Sequence, residues 1–482
     1  MKLRKISIYI TLLVTVIASS CRKTDNNEIP TTGTDTTKTA QAKPYTIVEG
    51  FEAGSKTAYA VADVTLETGS WKFDDALVGN LAADVKNGTK SVRVRTGAIA
   101  MNFDISGVTQ ISIKHAKYGA DAASIWQLYI STDGGLNYSP LGAAVNEDNT
   151  TLKTDSFTVV TAPRVRFKIS KTGTTRINID DIVFKGKGDP GIVIGIPDIP
   201  SGPDTTQTGT PAGARGVTVG TDAPPQAGDN SNLLFGNPSG AQPAMVMMDN
   251  YLIDQGYYVE SYNATKGEPN WVSWHLDGAN TTNATARLDN FAAFSGLPAG
   301  WFAVQSNSYN YNVYGFDRGH NCPSADRTSS VAANSATFLM TNMVPQAPQN
   351  NQQTWNNLEG YLRSQVALGN EVYIIMGSYG TGGTGAKGTF NAISSGIGSI
   401  NVPSNIWKVA VIIPAANGDV SRVSSSTRVI AVNTPNNNSI STDWKQYIVS
   451  VRDIEAATGY NLLSNLAKNV QDAIEVKKDT GN

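Results

Sequence analysis

The sequence predicts a multidomain chain, an all-β sandwich followed by an α+β domain. Three observations predict it. The 482 residues exceed what one ordinary core organises. Charged residues make up only 16%, and 45 positions are glycine, which suits turn-rich β structure in an exported protein. The apolar pattern also changes character along the chain. Up to residue 187 it consists of short alternating runs; from residue 216 it includes long continuous runs mixed with helical spacing.

Taken in order, the N-terminus carries Lys2, Arg4 and Lys5, an apolar run over residues 6–17, then Ala18, Ser19, Ser20 and Cys21. The run is too short to span a bilayer, and its flanks are those of a secretory signal. Small residues directly before a cysteine resemble a bacterial lipoprotein signal. That resemblance implies a signal over residues 1–21, a lipid on Cys21, and a place in the bacterial cell envelope on either side of the membrane. Ala18 departs from the leucine usual in such signals, so a plain secretory signal cut nearby is the alternative. Residues 22–44 hold almost nothing to bury and predict a flexible tether. Of the two cysteines, a lipidated Cys21 leaves Cys322 without a disulfide partner, so Cys322 is expected to be a buried free thiol.

Residues 45–187 predict the sandwich. The runs SVRVR from Ser91, IWQLYIS from Ile125, RVRFKIS from Arg164 and INIDDIVF from Ile177 alternate as strands do. The segment resembles the jelly-roll modules appended to bacterial surface proteins, which implies carbohydrate as a ligand. Trp71, Trp126 and Tyr138 are then either a stacking face or, the more ordinary reading, core. The pair Asp180-Asp181 is either a calcium rim or, more simply, a solvated turn. His115 has no second His or Cys nearby and reads as structural or surface. Residues 188–215, rich in Pro, Gly and Thr, predict an inter-domain linker.

Residues 216–482 predict the α+β domain. Strands are expected at 257–259 and 271–276, and near 427–432. The continuous apolar runs at 372–376 and 407–413 mark buried central strands. A closing helix is expected from Ile454 through Leu462, Leu463, Leu466 and Val470. Strands and helices are interspersed without strict alternation, against a doubly wound sheet. Residues 1–215 hold 24 Lys+Arg against 21 Asp+Glu, and the remainder 14 against 19. The second half is therefore acidic. A high-affinity nucleic-acid binder usually shows a basic footprint, so any such contact here is local, made by a few arginines and a cation.

The chemistry concentrates in residues 314–364. Asp317-Arg318-Gly319-His320 packs a carboxylate, a guanidinium, a flexible hinge and an imidazole into four positions. Asn351, Trp355, Glu359 and Arg363 follow at a spacing of four, one side of a helix, with Asn351 near its start, where Asn is a favoured cap. The domain has only two histidines, His275 and His320, and only His320 has functional groups gathered around it. A neutral imidazole suits a general base near neutral pH. An amide oxygen such as that of Asn351 suits a hard ion that keeps most of its waters, and Glu359 can hold one of those waters. Arg363 offers a phosphate a planar fork of donors. Alone, Glu359 and Arg363 would read as an exposed helix ion pair.

This pattern resembles the ββα-metal (His-Me finger) DNA/RNA non-specific endonucleases, a family that includes secreted bacterial nucleases and mitochondrial endonuclease G. The resemblance runs from about residue 232 to 466. It rests on 317–320, then Thr341 through Gln346, then Asn351, Trp355, Leu358-Glu359 and Arg363, with flanking matches at 269–274 and 444–459. It implies His320 as general base and Asn351 as the direct ligand of Mg²⁺, for which Mn²⁺ can substitute. It implies Glu359 on a metal-bound water, Arg318 and Arg363 as active-site arginines, and Asp317 as a support behind the motif. Arg287 matches an upstream phosphate-contacting arginine loosely. DNA and RNA are the implied substrates, cut to 5′-phosphate ends. Two other classes fit less well. An inactive nuclease fold serving as a surface adhesin has no need of an intact His320, Asn351 and Glu359. An HNH-type metal phosphodiesterase needs ligands this helix lacks.

Overall fold

A computed structural model of the chain describes residues 42, 44–160, 162–192, 207, 209–396 and 398–481. Cys21, the signal and nearly all of the tether lie outside the described residues, as does most of the linker. Lys43–Asn482 form one compact unit.

Twelve strands build the first part: β1 Pro44–Glu49, β2 Ala62–Leu66, β3 Gly69–Gly79, β4 Ser91–Met101, β5 Ile105–Ser106, β6 Val108–Lys117, β7 Ser124–Ser131, β8 Ser139–Pro140, β9 Val145–Glu147, β10 Lys153–Thr158, β11 Arg164–Lys171 and β12 Ile177–Lys187. The main path runs β10-β6-β12-β4-β11-β7-β8, and β4, β6 and β12 all pair antiparallel with their neighbours. Alternation dictates which side chains enter the core. In β1, Tyr45 and Ile47 are buried while their neighbours are exposed. In β11, Val165, Phe167 and Ile169 are buried while Arg166, Lys168 and Ser170 between and after them are half-buried. Trp71 and Trp126 are each 1% exposed in this core, so neither offers a face to a sugar. Tyr138 is half-buried, with the Lys168 ammonium 4.3 Å from its ring centroid. Asp180 is buried rather than solvated. Its carboxylate accepts from the backbone N–H of Asn87 and of Asp181, and burial raises it to about 7. His115 is a buried structural histidine held by Glu147 and Asp155.

The second part is organised by a seven-stranded antiparallel sheet. Its strands are β13 Tyr251–Asp254, β14 Val259–Asn263, β15 Glu268–Leu276, β18 Asn370–Tyr379, β23 Asn405–Pro414, β24 Arg428–Pro435 and β25 Ile448–Val449, in that spatial order. Two shorter strands, β16 Asp317–His320 and β17 Met343–Gln346, pair antiparallel as a separate ribbon. Two small hairpins, β19 Gly383–Gly385 with β20 Gly388–Phe390 and β21 Ala392–Ser394 with β22 Ser399–Asn401, lie between β18 and β23. The continuous apolar runs are explained by burial on both faces. From β18 and β23, Val372, Ile374, Met376, Ile406, Ala410 and Ile412 face one core; Tyr373, Ile375, Trp407, Val409, Val411 and Ile413 face another. The short helices α1 Tyr311–Tyr314 and α2 Val331–Thr337 precede helix α3, Asn356–Ala367, which covers the first core with Leu358, Tyr361 and Leu362. After α4, Asp419–Arg422, helices α5 Val451–Thr458 and α6 Lys468–Ile474 cover the second.

The closing helix is therefore two helices. Ser450 and Asp453 form a reciprocal cap at the start of α5, and Gly459, at φ 76°, ends it. Leu462, Leu463 and Leu466 pack as a loop, not as a helical stripe.

Arg327 ties the sheet to the segment between the two ribbon strands. It is fully buried and donates to the carbonyls of Tyr257, His275 and Asp326. Truncating it orphans those acceptors in a dry interior. Arg327→Met should cost about 3 kcal/mol or more, read as a lowered urea midpoint of the full chain with unchanged slope. A variant within experimental scatter of wild type would show that these carbonyls find other donors.

Candidate active site

The ribbon β16/β17 and helix α3 stand on the same side of the sheet, sharing its first core through Val344, Trp355 and Leu358. Register pairs Asp317 with Gln346, Gly319 with Val344, and His320 with Met343. Gly319 is required by close approach, not by hinging. A Cβ there would lie 2.3 Å from Gln346 Oε1. Beyond His320 the strand is held by Asn342, whose amide accepts from Cys322 N and donates to Cys322 O, each at 2.9 Å. Cys322 is buried and free, and burial pushes its thiol up to about 12, which removes it as a nucleophile.

Asp317 and Asn351 meet directly. The Asp317 carboxylate accepts from Asn351 Nδ2 at 2.9 Å and from Gln352 Nε2 at 2.8 Å. This turns the Asn351 amide so that its Oδ1 is left for another partner. Asn351 makes no helix cap. It lies within a π-helical turn, Asn350–Trp355, that runs into α3. Such turns are rare and cluster at functional sites.

His320 sits in an aromatic box. Its ring centroid lies 4.9 Å from Phe338 and 5.6 Å from Phe291, both edge-on. Arg318 lies over the face of Phe291 with Cζ 3.5 Å from the centroid, and Arg287 over Phe338 at 5.1 Å. The ring is half-buried, yet Nε2 is enclosed and has no hydrogen-bond partner among the described residues. Burial, reinforced by the Arg287 and Arg318 charges, holds His320 well below the ordinary histidine value. The ring is thereby held toward its neutral form.

The remaining predicted residues come with partners that the sequence reading missed. The turn Ser324–Asp326 is a bracket. Ser324 Oγ accepts from Arg287 at 2.9 Å, Asp326 Oδ1 accepts from Arg363 at 2.9 Å, and Asp326 Oδ2 accepts from Trp274 Nε1 at 2.9 Å. Arg287 and Arg363, 76 positions apart in sequence, are thus oriented by one turn. Glu359 accepts from Lys408 Nζ at 3.0 Å. Lys408 is 1% exposed, and its signal was legible as the one charged residue in the apolar run 407–413. Phe291, Phe338 and Ser324 left no such mark. Trp355 is core, its indole N–H on Met376 Sδ, and His275 is buried against Glu371, away from this cluster.

Asn351 and Glu359 are the residues that could hold a metal. Among the described residues no group of three or more His, Cys, Asp or Glu gathers into a ligand cage. One amide oxygen and one carboxylate on a single helical segment fit a small hard cation that keeps most of its waters.

Comparison with known proteins bears on the same segment. The family model for DNA/RNA non-specific endonucleases matches residues 238–469. A nuclease of Nostoc sp. is 45% identical over 248 residues, 52% of this chain and 86% of the relative. Mitochondrial endonuclease G of Bos taurus is 28% identical over 264 residues, 53% of this chain and 80% of its own. A crystal structure of the EndoG/EndoGI complex matches with a TM-score of 0.40 at 21% identity, over 51% of this chain and 96% of that one.

The Glu359–Lys408 pair predicts a pH signature. Burial raises Glu359, and Lys408 opposes that rise. Without Lys408 the carboxyl group would be raised further, so the folded state would favour its protonated form more strongly. A raised acid contributes stability that is present below the ordinary value and lost as pH climbs through the folded value. Lys408→Met should therefore lower the urea midpoint at neutral pH, with the deficit shrinking as pH falls toward 4.5, the ordinary glutamate value. A deficit that does not change with pH would remove Glu359 as its source.

Proposed function

Because the chain belongs to the DNA/RNA non-specific endonuclease family, and so is a nuclease hydrolase, we propose that it cuts DNA and RNA internally with little sequence preference. We read β16, β17 and α3 as the ββα-metal unit of that family. One observation carries the mechanism: the half-buried His320 imidazole, boxed by Phe291 and Phe338, is held toward its neutral form by burial and by the Arg287 and Arg318 charges. A water placed against the accessible part of the imidazole gives up its proton to the ring as its oxygen attacks phosphorus. The P–O3′ bond breaks, leaving a 5′-phosphate on one fragment and a 3′-hydroxyl on the other.

Arg318, Arg287 and Arg363 face the phosphate. Two of them are already oriented by Ser324 and Asp326, so binding needs little new ordering of their side chains. Asp317 fixes the Asn351 amide. Asn351 and Glu359 would hold a divalent ion such as Mg²⁺, which would supply positive charge for the leaving oxygen. Contacts to phosphate carry no sequence information, which favours attack on both nucleic acids. The acidic balance of this half favours weak, salt-sensitive binding and rapid release.

The decisive measurement is turnover of wild type and variants on plasmid DNA and on RNA, with end-group analysis. His320→Ala should lose on the order of 10²–10⁴-fold in rate while remaining folded. Asn351→Ala, or excess EDTA with wild type, should abolish cutting. Undiminished turnover in His320→Ala, or wild-type products bearing 3′-phosphates, would falsify this mechanism.

The basic, apolar, small-residue and cysteine order at the N-terminus supports export and a lipid on Cys21, placing the enzyme in the bacterial envelope. Metabolic labelling with a fatty acid should mark wild type and not Cys21→Ser; label retained by the variant would place the anchor elsewhere or nowhere.

A further inference from the structure

Helix α3 has three working faces. Glu359 and Arg363, four residues apart, belong to the candidate site, and Leu358 and Leu362 belong to the core beneath it. A third stripe, Tyr361, Ser364, Gln365 and Leu368, follows the helical spacing i, i+3, i+4, i+7. That stripe is turned to the chain leaving the β-sandwich. The Tyr361 hydroxyl donates to the carboxylate of Asp189, and Ser364 Oγ donates to the Ile192 carbonyl at 3.1 Å. Gln365 Nε2 reaches Asp189 at 3.4 Å, and Leu368 packs on the sandwich core, which includes Ile192. Arg428 completes the junction. It pairs with Asp189, donates to the Tyr361 hydroxyl at 2.8 Å, and holds Asp479 with a two-pronged bond at 2.8 and 2.9 Å.

The same inter-domain segment touches the other half of the site. Gln207, 1% exposed, donates to the carbonyl of Phe316, the residue before Asp317. Ala212 N donates to Ser306 Oγ at 3.0 Å, and the Ser306 carbonyl accepts from Arg318 at 2.9 Å.

We propose that Asp189 is a positioning residue of the nuclease site, acting through the Tyr361 hydroxyl to fix the rotation and height of the helix that carries Glu359 and Arg363. Tyr361 lies midway between those two residues in sequence and on another face of the same turn. A helix released at Tyr361 can roll or slide while its core face stays packed. Misplacement of a reacting group by a fraction of an ångström lowers turnover before it lowers affinity. The sandwich and its exit strand thereby belong to the catalytic frame, and this inference rests on the nuclease reading above.

The test uses the full chain with Asp189→Ala, Asp189→Asn, Tyr361→Phe and the double variant Asp189→Ala/Tyr361→Phe. Turnover on plasmid DNA and RNA with magnesium is measured beside the urea midpoint, well below the melting temperature. Asp189→Ala should lower kcat about tenfold with KM within about twofold. Asp189→Asn, whose amide oxygen still accepts from Tyr361, should recover most of the loss. Tyr361→Phe should match Asp189→Ala, and the double variant should be no worse than either, as for two groups of one contact. If Asp189→Ala does not fold, the near-isosteric Tyr361→Phe carries the test alone. Unchanged kcat, with or without a lowered midpoint, overturns the proposal, as do additive losses in the double variant. A wild type that cuts neither nucleic acid overturns the nuclease reading and this proposal together; an active wild type equalled by Asp189→Ala overturns the proposal only.

Discussion

The site depends on one side-chain contact, the Asp317 carboxylate receiving the amides of Asn351 and Gln352. It joins the first strand of the ribbon to a helical segment that begins more than thirty residues after Asp317. An ionised acceptor makes such bonds shorter and stronger than neutral ones. It also decides orientation, because an amide has a donor end and an acceptor end. With Nδ2 committed to Asp317, the oxygen of Asn351 is the end left for chemistry. The rest of α3 takes its place from that junction, from the packing below it and from the contacts of Tyr361 and Ser364 with the chain leaving the sandwich.

The aromatic box solves an electrostatic conflict. A site that must hold a phosphate needs positive charge close by, and a general base must not itself carry a proton. Here both demands are met by the same groups. Arg318 and Arg287 lie over the phenylalanines that enclose His320. Their charge and the burial push the imidazole toward its neutral form. Guanidinium is weakly hydrated and stacks on rings, so it can sit beside a dry base where an ammonium would need more water.

The motif was legible in the sequence because its residues are close in number and chemically unusual together: Asp317 to His320, then Asn351, Trp355, Glu359 and Arg363 at a spacing of four. The two central strands were legible because burial on both faces leaves an unbroken apolar run. What failed was whatever depended on distant partners or local backbone. Ser324 and Asp326, whose residue types announce no role, orient Arg287 and Arg363. Asn351 looked like a cap, since nothing in residue type reveals a π turn. Gly319 looked like a hinge and is a steric necessity. The closing helix was over-extended past Gly459, where left-handed backbone stops it. Trp71 and Trp126 belong to the sandwich core that their strand positions favoured. Residues 188–215 read as spacer because Pro, Gly and Thr are cheap to leave in water. That composition did not reveal the docking of Asp189 and Ile192 on α3.

The π-helical turn at Asn350–Trp355 has a consequence for how this segment tolerates length changes. A turn closed by i→i+5 bonds holds one residue more than an α-turn. Deleting one residue inside it would let the segment relax to regular α-helix without breaking its hydrogen-bond ladder, so the chain should fold. The later positions of the helix would keep their phase, because an α-turn completes the same rotation with one residue fewer, while Asn351, inside the turn, would lose its phase against the fixed end at Asp317. Insertions and deletions in surface loops leave such phasing intact; a single one here would separate folding from catalysis.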